Sequence, residues 1–94
     1  MSRIEKIKKQ IIDRYPIEHL DIIDFSHQHR SHFHSSHTET HLEIHIVSTA
    51  FDGIAVIQRH RKIQQLLKAE FEDGLHALTL STLTPDEWTS QKNA

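Results

Sequence analysis

Apolar residues recur along this chain at a spacing that switches between helical and extended. Ile4, Ile7, Ile11, Ile12 and Tyr15 form one helical stripe. Ser2 with Glu5 three residues on supplies a capping box at its start. Pro16 stops it, because proline disfavours helical geometry at the residue before it. Leu20 to Phe25 is strand-like in two phases, Leu20 and Ile22 in one and Ile23 and Phe25 in the other. A bulge and a strand partly covered on both faces both fit that pattern. From His41 to Ser48 the alternation is clean, with Leu42, Ile44 and Ile46 inward and His41, Glu43 and His45 outward. The two strands form an antiparallel pair, joined by the segment from His27 to Thr40.

The stretch from Phe51 to Leu80 organises the rest. It reads as a turn, a long amphipathic helix, a glycine stop and a strand. Val56, His60, Ile63 and Leu67 mark the buried stripe, widened by Ile57 and Phe71. Gly74 ends the helix, and His76, Leu78 and Leu80 then share one strand face. Strand, helix, strand is a crossover, so the second and third strands are predicted to be parallel. Thr84, Pro85 and Glu87 mark the start of a short last helix. The order is α-β-β-turn-α-β-α, a two-layer α+β domain over residues 1–90, with residues 91–94 a frayed tail. Leu42, Ile44, Ile46, Ile63, Leu67, Leu78 and Leu80 are the predicted core.

Composition narrows the function more than the fold. Ninety-four residues suit one small domain. No stretch approaches the ~20 apolar residues of a membrane helix. The N-terminus lacks a signal peptide's apolar core, which predicts a cytoplasmic protein. The chain has no cysteine, so it can supply neither a disulfide nor a thiolate. A formal charge of −2 gives no global case for nucleic-acid binding. Ten histidines stand out, and protonating all of them would move that charge to +8, one unit per ring. Imidazoles titrate near pH ~6.5, so surface chemistry here is pH-dependent.

Five histidines fall in the joining segment: His27, His29, His32, His34 and His37. Their spacings offer imidazole nitrogens to a borderline metal such as Zn²⁺ or Ni²⁺, and they equally describe a solvated polar loop. His76 follows the glycine stop at the start of the third strand, where rigid backbone would hold a ligand, and its position equally fits a partly buried imidazole hydrogen-bonded to a loop carbonyl. His60 falls on the predicted buried stripe and reads as a core histidine. Arg59, Arg61 and Lys62 make a basic patch of the kind that binds phosphates, or an ordinary solvated helix face. Gly53 stands alone in the strand-to-helix turn, without the GxxG loop by which KH domains clamp nucleotides. Catalytic motifs such as GxSxG, a phosphate-cradling glycine loop or HExxH are absent from the sequence, so no enzyme is predicted.

Taken together, THLEI, FDG, RHR, GLHAL and TPDEW, in this order and spacing, resemble the BolA family over nearly the whole chain. The resemblance implies a class II KH-like α+β fold, a two-layer αββααβα domain with a three-stranded mixed sheet and helices on one side. It implies a monothiol glutaredoxin as partner and a [2Fe-2S] cluster bridged between the two proteins, with none expected in the isolated chain. His76 matches the family's histidine in the GLHAL-type motif. His29 matches the second ligand position in the loop, with His27 and His32 as possible substitutes. Members are also described as transcriptional regulators of stress response and cell morphology, which would use the helix bearing Arg59, Arg61 and Lys62 on DNA. Alone, the chain is expected as a monomer or weak homodimer.

Overall fold

Helix α1 (Arg3–Arg14) begins where the sequence predicts. Ser2 Oγ accepts from the Glu5 N–H at 3.1 Å, and the Glu5 carboxylate accepts from the Ser2 N–H at 3.3 Å. In the computed structural model, which describes residues 2–25 and 40–92, strands β1 (His19–Asp24) and β2 (His41–Val47) follow. A 3-10 turn (Thr49–Phe51) then leads to helices α2 (Val56–Leu66) and α3 (Lys68–Glu72), strand β3 (Ala77–Leu83) and helix α4 (Pro85–Lys92). The three strands form one mixed sheet in the order β1-β2-β3, β1 antiparallel and β3 parallel to β2. Parallel pairing of β2 and β3 is what a crossover through α2 and α3 requires. Among the described residues no helix is long and apolar enough to cross a membrane.

The inner face of the sheet is set by register. Leu20 lies opposite Ile46 and Ile22 opposite Ile44, while Leu42 and Ile44 pair with Leu78 and Leu80. These rows meet Ile7 and Ile11 of α1, Phe51, Ile63, Leu67 and Leu75 in one core. Of the predicted core, Leu42, Ile44, Ile46, Ile63 and Leu67 are buried. Leu78 and Leu80 are only partly so, because β3 is an edge strand. The two-phase pattern of β1 needs no bulge, since its pairing with β2 runs one to one from His19 to Asp24.

The long helix departs from its predicted face. Val56 and Ile57 are 52% and 60% exposed, while Arg59 is 5% exposed and Glu70 is buried with it. The buried row runs Arg59, Ile63, Leu67, Glu70: it keeps the predicted Ile63 and Leu67, with Arg59 in place of His60 at one end and Glu70 in place of Phe71 at the other. Both ends of that row are charged and matched by partners, so hydrophobicity alone misplaces the ends of the buried stripe. Glu70 faces Arg3 and Lys6, each at 3.7 Å. The segment is also two helices, broken at Leu67 (φ −98°, ψ 15°). Gly74 then ends α3 at φ +114°, a backbone that side-chain-bearing residues rarely adopt, and Arg3 donates to the Glu70 and Asp73 carbonyls there.

Helix α4 opens with the predicted capping box. Thr84 Oγ1 accepts from the Glu87 N–H and the Glu87 carboxylate from the Thr84 N–H, at 3.1 and 2.9 Å. It runs through Lys92, two residues into the stretch expected to fray. Its Trp88 reaches the face of the sheet that α1, α2 and α3 leave open, where the ring stacks on His19 at 5.0 Å.

Candidate functional site

The first rung of the β2–β3 ladder builds the site. His41 pairs with Ala77, and the N–H groups of His76 and Ala77 both donate to the Thr40 carbonyl, at 2.8 and 3.1 Å. This holds the backbone of both histidines. Their rings stand 5.9 Å apart between centroids, tilted by 42°. Thr40 Oγ1 lies 3.0 Å from His41 Nδ1, which orients that ring, and the His76 side chain is exposed. A cleft of about 250 Å³, lined by Phe25, His41, Leu42, Ala77 and Thr79, opens beside the pair. Chemically the corner offers two imidazoles to a borderline metal, on backbone that cannot shift far. Among the described residues no third histidine, aspartate or glutamate joins them.

Sequence reading placed His76 correctly at the strand entrance and missed His41. Both signals for it were present: THLEI put His41 on the outward face, and the crossover implied a parallel neighbour. Only the register brings the two rings together. His29, the predicted second ligand, lies outside the described residues, as do His27 and His32 and the remaining loop histidines His34 and His37.

The basic helix face needs a correction. Arg59 is not a surface cation. Its Nε donates to the Ile54 carbonyl at 2.7 Å and its Nη1 to the Thr82 carbonyl at 2.9 Å. Both ends of the guanidinium also grip Glu87, at 2.7 and 3.1 Å. That grip, with the Thr84 N–H, lowers the Glu87 carboxyl to about 2. Arg59 therefore ties α2 to β3 and α4, with four of its five N–H donors engaged and the side chain buried away from any phosphate. Arg61 and Lys62 remain exposed, and His60 is half-buried rather than in the core.

The BolA-like protein family matches residues 11–87. "Uncharacterized protein in cobS 5'region" from Sinorhizobium is 42% identical over 92 residues, 95% of this chain and 98% of that protein. "DNA-binding transcriptional regulator BolA" of Haemophilus influenzae is 38% identical, over 97% of this chain and 85% of its own. Among solved structures, the BolA domain of SufE1 from Arabidopsis thaliana superposes with a TM-score of 0.83 at 38% identity, covering 93% of this chain and 96% of that one. Fold, helix and strand order, and sequence agree over the same span, and the chain belongs to the BolA-like protein family.

Proposed function

We propose that this protein is a non-enzymatic adaptor that binds a [2Fe-2S] cluster jointly with a monothiol glutaredoxin and passes it on. The observation that carries the reading is His76, exposed at the entrance of β3, its backbone tied to Thr40 and its ring beside His41. A chain without cysteine has no thiolate to offer iron, and an imidazole pair on fixed backbone suits that use. Imidazole in place of thiolate on one iron raises a cluster's potential and makes it releasable by acid. Two ligands on this chain leave the cluster incomplete without a thiolate-bearing partner, which is the property an adaptor needs.

The test is visible spectroscopy of the protein mixed with a monothiol glutaredoxin, glutathione and iron. The wild-type mixture should develop an absorption band that the glutaredoxin alone does not give. His76→Ala should remove the nitrogen-ligated form while circular dichroism stays native. An unchanged spectrum in that variant sinks the reading. Moving the solution from pH 7.5 to below the imidazole range should release the iron, since a protonated ring cannot ligate.

A second reading, as a DNA-binding regulator, draws on the Haemophilus relative's name and on exposed Arg61 and Lys62. With Arg59 buried, only two of the three expected cations face solvent, so binding at neutral pH should be weak. Arg61→Ala with Lys62→Ala should flatten the salt dependence of duplex binding by about two units of slope if both touch phosphates. An unaltered slope removes this reading.

A further inference from the structure

Several cations elsewhere in this fold are spent on its own groups. Arg3 and Lys6 face Glu70, Arg59 grips Glu87, and Lys92 sits over the Trp88 ring at 4.0 Å. On the outer side of α1 and α2 the pattern changes. The C-terminal end of α1 and the C-terminal half of α2 border a cleft of about 370 Å³, lined by Arg14, Tyr15, Lys62, Gln65 and Leu66. Gln65 also lines a second, shallower cleft of about 270 Å³ with Arg61, Gln64 and Lys68. Among the described residues none of these four cations has an ion pair, and no carboxylate lines either cleft. This is not the by-product of a basic protein, since the whole chain carries a formal charge of −2.

We infer that these two adjoining clefts form one binding site for a small polyphosphate anion, of the kind carried by a nucleoside triphosphate or an inorganic phosphate chain. Unpaired cations gathered in a concave, carboxylate-free surface focus the field and attract a multiply charged anion. Arg14 offers a planar fork to two oxygens of one phosphate, and Lys62 a mobile ammonium to another. Gln64 and Gln65 add amide donors, which hydrogen-bond phosphate oxygens without adding charge. Arg61 on α2 and Lys68 at the start of α3 stand on either side of the break at Leu67, so the cations are spread over three helices, an arrangement suited to several linked phosphates. The site lies on α1, α2 and the start of α3, lined by none of the residues of the His41–His76 corner, and does not rest on the cluster reading.

The experiment is an amide-resolved NMR titration of the whole chain with inorganic tripolyphosphate, orthophosphate and ATP. Tripolyphosphate should move the amides of Arg14, Tyr15, Lys62 and Gln65 along a saturating curve, at least tenfold tighter than orthophosphate. Arg14→Gln with Lys62→Gln, both exposed and so tolerated by the fold, should weaken that binding at least tenfold. Lys8→Gln with Lys9→Gln, which removes the same charge from exposed positions outside the clefts, should leave it within twofold. ATP binding tighter than tripolyphosphate supports the site as a nucleotide site, and equal binding supports it as a phosphate-chain site. No saturable shifts, equal loss in both double variants, or response to duplex DNA without response to tripolyphosphate would each overturn the inference.

Discussion

The two ends of the sheet use the same residue types to opposite purpose. At the β2 entrance, backbone bonds to the Thr40 carbonyl fix His76, the Thr40 hydroxyl orients the His41 ring, and the His76 ring stands exposed. At the β2 exit, His19 lies under Trp88, Lys92 sits over the Trp88 ring, and Arg59 binds three elements through its guanidinium. A cleft of about 210 Å³ at this end is lined by polar side chains that include His19, Asp21, His45 and Ser81. One end has spent its polar groups on packing, and the other has spent backbone hydrogen bonds to leave the His76 side chain available. Histidine count therefore says little about function here; the partner of each ring decides. Fixed backbone with an exposed side chain is also the arrangement that suits a site completed by another protein.

The sharpest way to break the contrast is Arg59→Ala. It orphans the carbonyls of Ile54 and Thr82 and releases Glu87, and should cost about 2–4 kcal/mol in urea denaturation. The Glu87 share is small because that side chain is 43% exposed to screening water. Arg59→Lys should recover only part of the loss, since an ammonium cannot span the same fork. A cost below ~1 kcal/mol would mean the exit is not clamped as described.

Acid should loosen the exit by a smaller amount. Glu87 is lowered to about 2 in the folded protein, chiefly by Arg59. A depressed carboxyl stabilises above the ordinary glutamate range and loses that contribution as pH falls toward 2. Denaturation midpoints followed from pH 5 to pH 2 should fall, and Glu87→Gln should fall less over the same window. Parallel curves for the two proteins would remove Glu87 from the account.

Smaller again is the aromatic stack. Removing the ring in His19→Ala should cost about 0.5–1.5 kcal/mol and quench or shift Trp88 fluorescence differently from wild type. At the opposite end His76→Ala should change stability by no more than ~0.5 kcal/mol, as expected of an exposed side chain. A larger loss at His76 than at His19 would reverse the comparison and make the entrance a structural feature.

Most of the architecture was readable from periodicity and caps. Ser2 with Glu5, and Thr84 with Glu87, are local signals: the same few residues supply the donors and acceptors, so sequence suffices. Strand alternation in β2 and the crossover rule together gave the mixed sheet. His76 was legible for the same reason, since a glycine stop followed by a strand locates it without further knowledge. Of the face of α2 only Ile63 and the following Leu67 were legible, and its charged member was not. Arg59 counts as a surface residue until Glu87, 28 positions away, and the Ile54 and Thr82 carbonyls are brought to it. A long-range partner reverses the cost of burying a charge, and no window of sequence contains both members of the pair. His41 beside His76 is a matter of register, because a shift of one residue in the parallel ladder would move His41 off the Ala77 rung. The clefts along α1 and α2 depend on which side chains of two separate helices face the same hollow. Sequence by itself thus decided the elements, their order and the exposed strand-entry histidine. Tertiary structure alone decided which cations are spent and which are offered, because pairing is a property of distance in space and the chain records only distance along itself.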